Sequence, residues 1–322
     1  MHKIYDMWPQ IARETYESDL EPIDFDGIDH IVFAGMGGSG AIGDCFLSIL
    51  SKTSIHVTIV KGYLLPKTID SKTLVIATST SGNTLETLTV VESTLKLDCK
   101  LICFSSGGKL EEFCRENDIE YRNVSIYNNP RASFPAYVYA ILKVINSIIP
   151  VDKNCIEHSI FQMKLLQKKI STENLTESNP SLTLANWLNG IPIIYYPWGL
   201  QATAIRFKNS IQENVKLHAM TEDVIEACHN GIVSWERNSS IKPILIRGTD
   251  DYVKTKERWE ILKKYFKENN IDFWELFSVD GDVLSKIINL IYLLDFSTIY
   301  KAILSGIDPH PVNSIDYIKK YL

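Results

Sequence analysis

Two short stretches carry backbone and side chains suited to holding a small anion. Residues 31–44 read IVFAGMGGSGAIGD: an apolar run, then glycines at 35, 37, 38 and 40 around Ser39, then an apolar, helix-like segment. Glycine lets the main chain approach a ligand closely, and a helix N-terminus presents unpaired N–H groups and the positive end of its dipole. The second stretch, residues 76–84, reads IATSTSGNT and continues into Leu85-Glu86-Thr87-Leu88. It too is an apolar strand running into small hydroxyl residues and a glycine ahead of a helix. Two such turns within about fifty residues suggest one phosphate held from two sides.

Simpler readings compete with this one. The first stretch satisfies G-x-G-x-x-G after a strand, the dinucleotide fingerprint, but that motif also needs an acid about twenty residues on, at the end of the second strand. Here Thr58-Ile59-Val60 runs into Lys61, and Asp44 comes too early. Glycines serving only a tight turn would leave the second turn unexplained. Ser81 or Thr84 could act only as a helix cap, yet a cap takes one residue and this turn offers four hydroxyls.

The turns need elements to carry them. Strands are predicted at 31–34, 55–60, 73–77, 100–105 and 119–124, with helices at 3–17, 41–51, 85–95 and 110–117 between them. Strands alternating with helices imply parallel βαβ units and an open, doubly wound sheet, with ligands beyond the C-terminal ends of the strands. The pattern restarts later, with strands at 191–196, 243–246 and 272–277 and helices from 201, over 254–268 and over 284–304. The prediction is an α/β chain of two doubly wound parallel-sheet domains with flanking helices, residues 1–150 and 151–322, joined by a mostly helical connector. A length of 322 residues, 45% hydrophobic and 22% charged, suits two ordinary globular cores.

A net charge of −6 argues against bulk attraction to nucleic acid or anionic membranes. The six cysteines are scattered without C-x-x-C or metal-like spacing and read as reduced. The N-terminal residues lack an apolar signal core, and the apolar runs 132–150 and 287–304 are broken by Lys143 and by Asp295 and Lys301, as in buried helices. A soluble, cytoplasmic protein is expected, with no metal and no cofactor.

Other residues stay ambiguous on chemistry alone. Arg131 lies in the proline-flanked loop NNPRASFP and is as easily a surface arginine as a functional one. Glu213 ends a polar segment, His229 sits in Cys228-His229-Asn230-Gly231, and Lys319 lies in the terminal amphipathic segment IDYIKKYL. A solvated glutamate, a structural histidine and a solvated lysine are the ordinary explanations of these three.

Six blocks taken together settle what each leaves open. GMGGSGAIGD, SGNT, NNPRAS, RFKNSIQEN, EACHNGIVSWE and IDYIKKYL, in this order from about residue 30 to 320, resemble the bifunctional phosphoglucose/phosphomannose isomerase family, built of two sugar-isomerase (SIS) domains. The resemblance implies a cofactor-free aldose–ketose isomerase acting on glucose 6-phosphate, mannose 6-phosphate and fructose 6-phosphate. It implies phosphate binding by Gly38, Ser39, Ser79, Ser81 and Thr84, and Arg131 beside the enediolate. Glu213 would be the base between C1 and C2, and Lys319, rather than Lys320, would contact the sugar. His229 would assist ring opening from the neighbouring subunit of a homodimer. These roles meet the demands of the reaction: a carboxylate base, a permanent cation, an acid–base of moderate pKa and a remote phosphate handle.

Two departures bear on specificity. Thr80 stands where relatives more often have tyrosine, and His310, in Asp308-Pro309-His310-Pro311, where they commonly have threonine. The second bears on use of the mannose epimer. A non-catalytic sugar-phosphate sensor would share the phosphate turns but would not need Arg131, Glu213, His229 and Lys319.

Overall fold

The computed structural model describes residues 1–321, so Leu322, the end of the terminal block, lies outside the described residues. Among the described residues nine strands form two parallel sheets: β1 (His30–Ala34), β2 (His56–Val60), β3 (Thr73–Ser79), β4 (Lys100–Ser105) and β5 (Glu120–Asn123), then β6 (Ile191–Tyr196), β7 (Met220–Asp223), β8 (Ile241–Arg247) and β9 (Trp274–Phe277). The first sheet has the order β2-β1-β3-β4-β5 and the second β7-β6-β8-β9, each reversing direction at its second strand, as doubly wound folds do.

The chain divides into two compact units. The amino-terminal unit comprises Met7–Phe161 with Asp282–Ser285; the carboxy-terminal unit comprises Met1–Asp6, Gln162–Gly281 and Lys286–Leu322. These are not the contiguous halves 1–150 and 151–322. The first six residues belong with the carboxy-terminal unit because Thr172 Oγ1 donates to Asp6 Oδ2 (2.8 Å) and Tyr292 Oη to Tyr5 O (2.8 Å). Residues 153–161 belong with the amino-terminal unit, where the Ser159 and Tyr139 hydroxyls lie 2.6 Å apart and Arg13 pairs with Glu157 at 2.9 Å.

In the amino-terminal unit every residue of β1 and β3 is buried, as expected of strands covered on both faces. On one face Val32, Ala34, Val60 and Val75 pack with Val90 of the helix Leu85–Thr94. On the other, Phe33 stacks on Phe46 of the helix Gly37–Leu50, with ring centroids 4.8 Å apart. Alternate side chains of one strand thus meet different helices. In the carboxy-terminal unit Tyr195, Leu245, Trp259, Leu262 and Phe266 form the corresponding cluster. The helix Val283–Leu304 is long and apolar enough to cross a membrane, but 78% of its most apolar window is buried inside the protein.

Three local expectations change. The first helix begins at Gly37, not near residue 41, so the glycine cluster is itself the first helical turn. The apolar region 132–150 holds a shorter helix, Phe134–Val144. The edge strand β7 and the short helix Val224–Ala227 were not anticipated: MTED has no apolar alternation, and its place at the sheet edge demands none.

Candidate functional site

The two hydroxyl-rich turns lie at the C-terminal ends of β1 and β3, neighbouring strands whose following helices lead in opposite directions across the sheet. This is the topological switch point where ligands bind in open α/β sheets. The turns touch: Ser39 Oγ lies 3.4 Å from Thr80 Oγ1, and Thr80 N–H points at Ser39 Oγ, also at 3.4 Å.

Neither helix that starts here is capped by a side chain. Met36 precedes the helix Gly37–Leu50 in an extended conformation without a capping bond, and Thr84 precedes Leu85–Thr94 likewise. The first main-chain bonds of the two helices are Gly40 N–H to Met36 O (3.1 Å) and Leu88 N–H to Thr84 O (3.0 Å). The amides ahead of them form two adjacent donor sets at positive dipole ends. The hydroxyls are engaged elsewhere: Ser79 Oγ donates to Thr84 Oγ1 at 2.9 Å, and Ser81 Oγ accepts from Asn83 N–H at 3.3 Å. Capping therefore does not explain them.

Glycine is required here at two places. A Cβ on Gly35 would lie 2.9 Å from Thr78 O, so β1 and β3 leave no room for a side chain. Gly82 has φ +67°, and a Cβ on it would fall 1.7 Å from Gly107 O. The loop after β4 thus packs backbone to backbone against the second turn. Ser106 donates to Thr80 O through Oγ (2.7 Å), and Lys109 N–H donates to Asn83 Oδ1 (3.2 Å).

At the end of β2, where a dinucleotide site needs an acid, Lys61 Nζ holds both carboxylate oxygens of Asp44, at 2.8 and 2.6 Å. Arg131 is buried, 5% exposed, in the turn leading to the helix Phe134–Val144. That turn is fixed around it: Trp8 Nε1 donates to Ala132 O (2.9 Å), Ala132 N–H to Asn129 Oδ1 (3.0 Å) and Ser133 Oγ to Asn129 O (2.9 Å). A surface arginine is excluded.

In the carboxy-terminal unit Glu213 lies in a π-helical turn, Ile211–Val215, continuing the helix Gln201–Ser210. Such turns insert an extra residue and are frequent at functional sites. Ile211, Asn214 and Val215 are buried, leaving Glu213 half-buried. Asn214 Nδ2 donates to Thr298 Oγ1 at 2.8 Å, and Lys216, with φ 59° and ψ 31°, ends the turn. Behind it, Arg206 reaches Asp295 Oδ2 through Nε (3.1 Å) and Nη2 (2.7 Å), and Ser210 Oγ donates to Asp295 Oδ1 (2.6 Å). Burial works against the Arg206 charge, but the carboxylates of Asp295 and, more weakly, Glu213 outweigh it and hold the guanidinium protonated. The two residues are 89 positions apart, and no local pattern encodes their pairing.

His229 is exposed in a turn whose N–H donates to Glu226 O at 2.9 Å. Asp223 caps the helix before the turn, and Asn230 accepts from Gly231 N–H at the 3-10 helix after it. Glu222 lies against Gly231, where a Cβ would be 2.5 Å from both carboxylate oxygens. Burial, and the nearby Glu226 and Asp223, raise the pKa of Glu222. Lys319 ends the helix Asn313–Lys319, none of whose residues is buried, and Lys320 follows it. The loop before that helix is tied to the Glu213 turn by Lys216 Nζ, which donates to Pro311 O at 2.6 Å.

Comparison with known proteins agrees with this architecture. Residues 177–322 match the family described as the bacterial phospho-glucose isomerase C-terminal SIS domain. The chain is 34% identical to the bifunctional phosphoglucose/phosphomannose isomerase of Caldicellulosiruptor bescii, covering 99% of this chain and 97% of the relative. It is 32% identical to the protein of the same name from Aquifex aeolicus, covering 98% and 94%. The crystal structure of tagatose-6-phosphate ketose/aldose isomerase from Escherichia coli superposes with a TM-score of 0.72 at 13% identity, over 96% of this chain and 93% of that one. The fold is therefore that of the two-sheet sugar-phosphate isomerases. The chain belongs to the bifunctional phosphoglucose/phosphomannose isomerase family.

Proposed function

We propose that this protein interconverts glucose 6-phosphate and mannose 6-phosphate with fructose 6-phosphate through an enediolate, without a cofactor. The observation that carries the reading is the pair of uncapped helix N-termini whose turns meet through Ser39 and Thr80 at the switch point of the first sheet. Phosphate is held there by Gly38, Ser39, Ser79, Ser81 and Thr84. Its binding energy positions carbons that are themselves too alike to be distinguished by contacts alone.

Glu213 takes the proton from C2 of the aldose and returns it to C1, acting from a half-buried turn. Arg131, a charge that cannot be lost, stabilises the enediolate oxygen. His229 and Lys319 assist opening of the hexose ring. Their exposure suits a homodimer in which His229 serves the neighbouring subunit's substrate. The setting is cytoplasmic carbohydrate metabolism, in glycolysis and gluconeogenesis.

The test is conversion of fructose 6-phosphate with EDTA present, following both aldose phosphates. Both products are expected. Glucose 6-phosphate alone would assign His310 as a restriction on the mannose branch, and neither product would refute the reading.

A further inference from the structure

Thr80 is where β3 gives way to the phosphate turn, and its carbonyl is gripped from the β4 side. Ser106 reaches it twice, through Oγ at 2.7 Å and through N–H at 3.2 Å. Tyr137 Oη adds a longer contact at 3.5 Å, while donating to Val124 O at 3.2 Å. Thr80 and Tyr137 are both buried.

A trans peptide is planar, so the Thr80 carbonyl and the Ser81 N–H point in opposite directions. With the carbonyl turned toward β4, the Ser81 amide is turned toward β1. The preceding amide, that of Thr80, faces the same side, toward Ser39 Oγ. Successive amides aimed one way make a concavity for an anion. The hydroxyl of Ser106 is not needed to close its own loop. Ser105 does that, donating through Oγ to Gly107 O (2.8 Å) and accepting from Gly107 N–H (3.2 Å).

We propose that Ser106 is a positioning residue for the substrate phosphate: by holding the Thr80 carbonyl it fixes the Ser81 amide toward the phosphate dianion. It need not touch the substrate. This rests on the phosphate-turn reading above. Without the hydroxyl the carbonyl keeps only the longer bonds from Ser106 N–H and Tyr137 Oη, so the peptide is held less firmly and part of the binding energy goes into ordering it.

The test is titration calorimetry of the full-length protein with inorganic phosphate, alongside steady-state kinetics with fructose 6-phosphate. Ser106→Ala should raise the phosphate Kd and the KM about tenfold. It should leave kcat within about twofold and the melting temperature within about 3 °C. Ser106→Thr, which keeps the hydroxyl, should restore both constants. Unchanged phosphate affinity in Ser106→Ala, alongside weakened affinity in Ser39→Ala, would overturn this inference alone. Equal affinity in the wild type and both variants would overturn the phosphate-turn reading with it. If kcat, KM and melting temperature worsened in step, Ser106 would be merely structural and the proposal would fall.

Discussion

Replacing Asp295 by alanine should destabilise the carboxy-terminal unit severely, and the size of the loss can be worked from the pair it belongs to. The Arg206 and Asp295 side chains are 2% and 0% exposed, so neither charge is solvated. The carboxylate accepts two bonds from Arg206 and one from Ser210. Removing one partner of such a pair costs about 3–5 kcal/mol, because the other charge stays buried without its main counter-charge. For a domain of roughly 150–250 residues, each kcal/mol moves the melting temperature by about 2–4 °C. A fall of about 6–20 °C is therefore expected by differential scanning calorimetry near neutral pH. The double variant Arg206→Met, Asp295→Leu should recover most of it, since apolar replacement of both partners is often neutral or better. A fall below about 2 °C, or a double variant no better than Asp295→Ala, would refute this account of the pair.

Two further outcomes follow from local geometry. Gly82→Ala must move a backbone that would otherwise put Cβ 1.7 Å from Gly107 O, so phosphate affinity should fall at least about tenfold in calorimetry. Gly62→Ala, with open space around it, should change nothing. His30 lies between the Thr73 and Thr58 hydroxyls, and burial, then the neighbouring His56, lowers its pKa from 6.5. The unfolded chain therefore binds the proton more readily, so His30 contributes its full stability above about pH 6.5 and loses it as pH falls through the depressed folded value. Melting temperatures of the wild type should thus fall more between about pH 7 and 5 than those of His30→Gln.

Much of the site was legible because its backbone requirements are written in residue type. The glycines, the hydroxyl run and the alternation of apolar strands with helices located both turns and the strands and helices of the first sheet. Arg131 was ambiguous because burial is decided by Trp8 and Asn129, which are distant in sequence or unremarkable as polar loop residues. Glu213 could not be told from a solvated glutamate, since a π-helical turn has no compositional signature. The Ser106 grip on Thr80 spans 26 residues and depends on the close approach of two glycine-bearing loops, which no local pattern encodes. The exchange of residues 1–6 into the carboxy-terminal unit depends on Tyr292 and Thr172, far along the chain.

The central claim is that Glu213 moves the proton between C1 and C2, and solvent isotope incorporation tests it most directly. In deuterium oxide the wild-type protein should place deuterium at C2 of the aldose formed from fructose 6-phosphate. Glu213→Gln should show neither incorporation nor turnover while binding fructose 6-phosphate within about tenfold of wild type, roughly 1.4 kcal/mol. Turnover and deuterium incorporation near wild-type rates in Glu213→Gln would contradict the account.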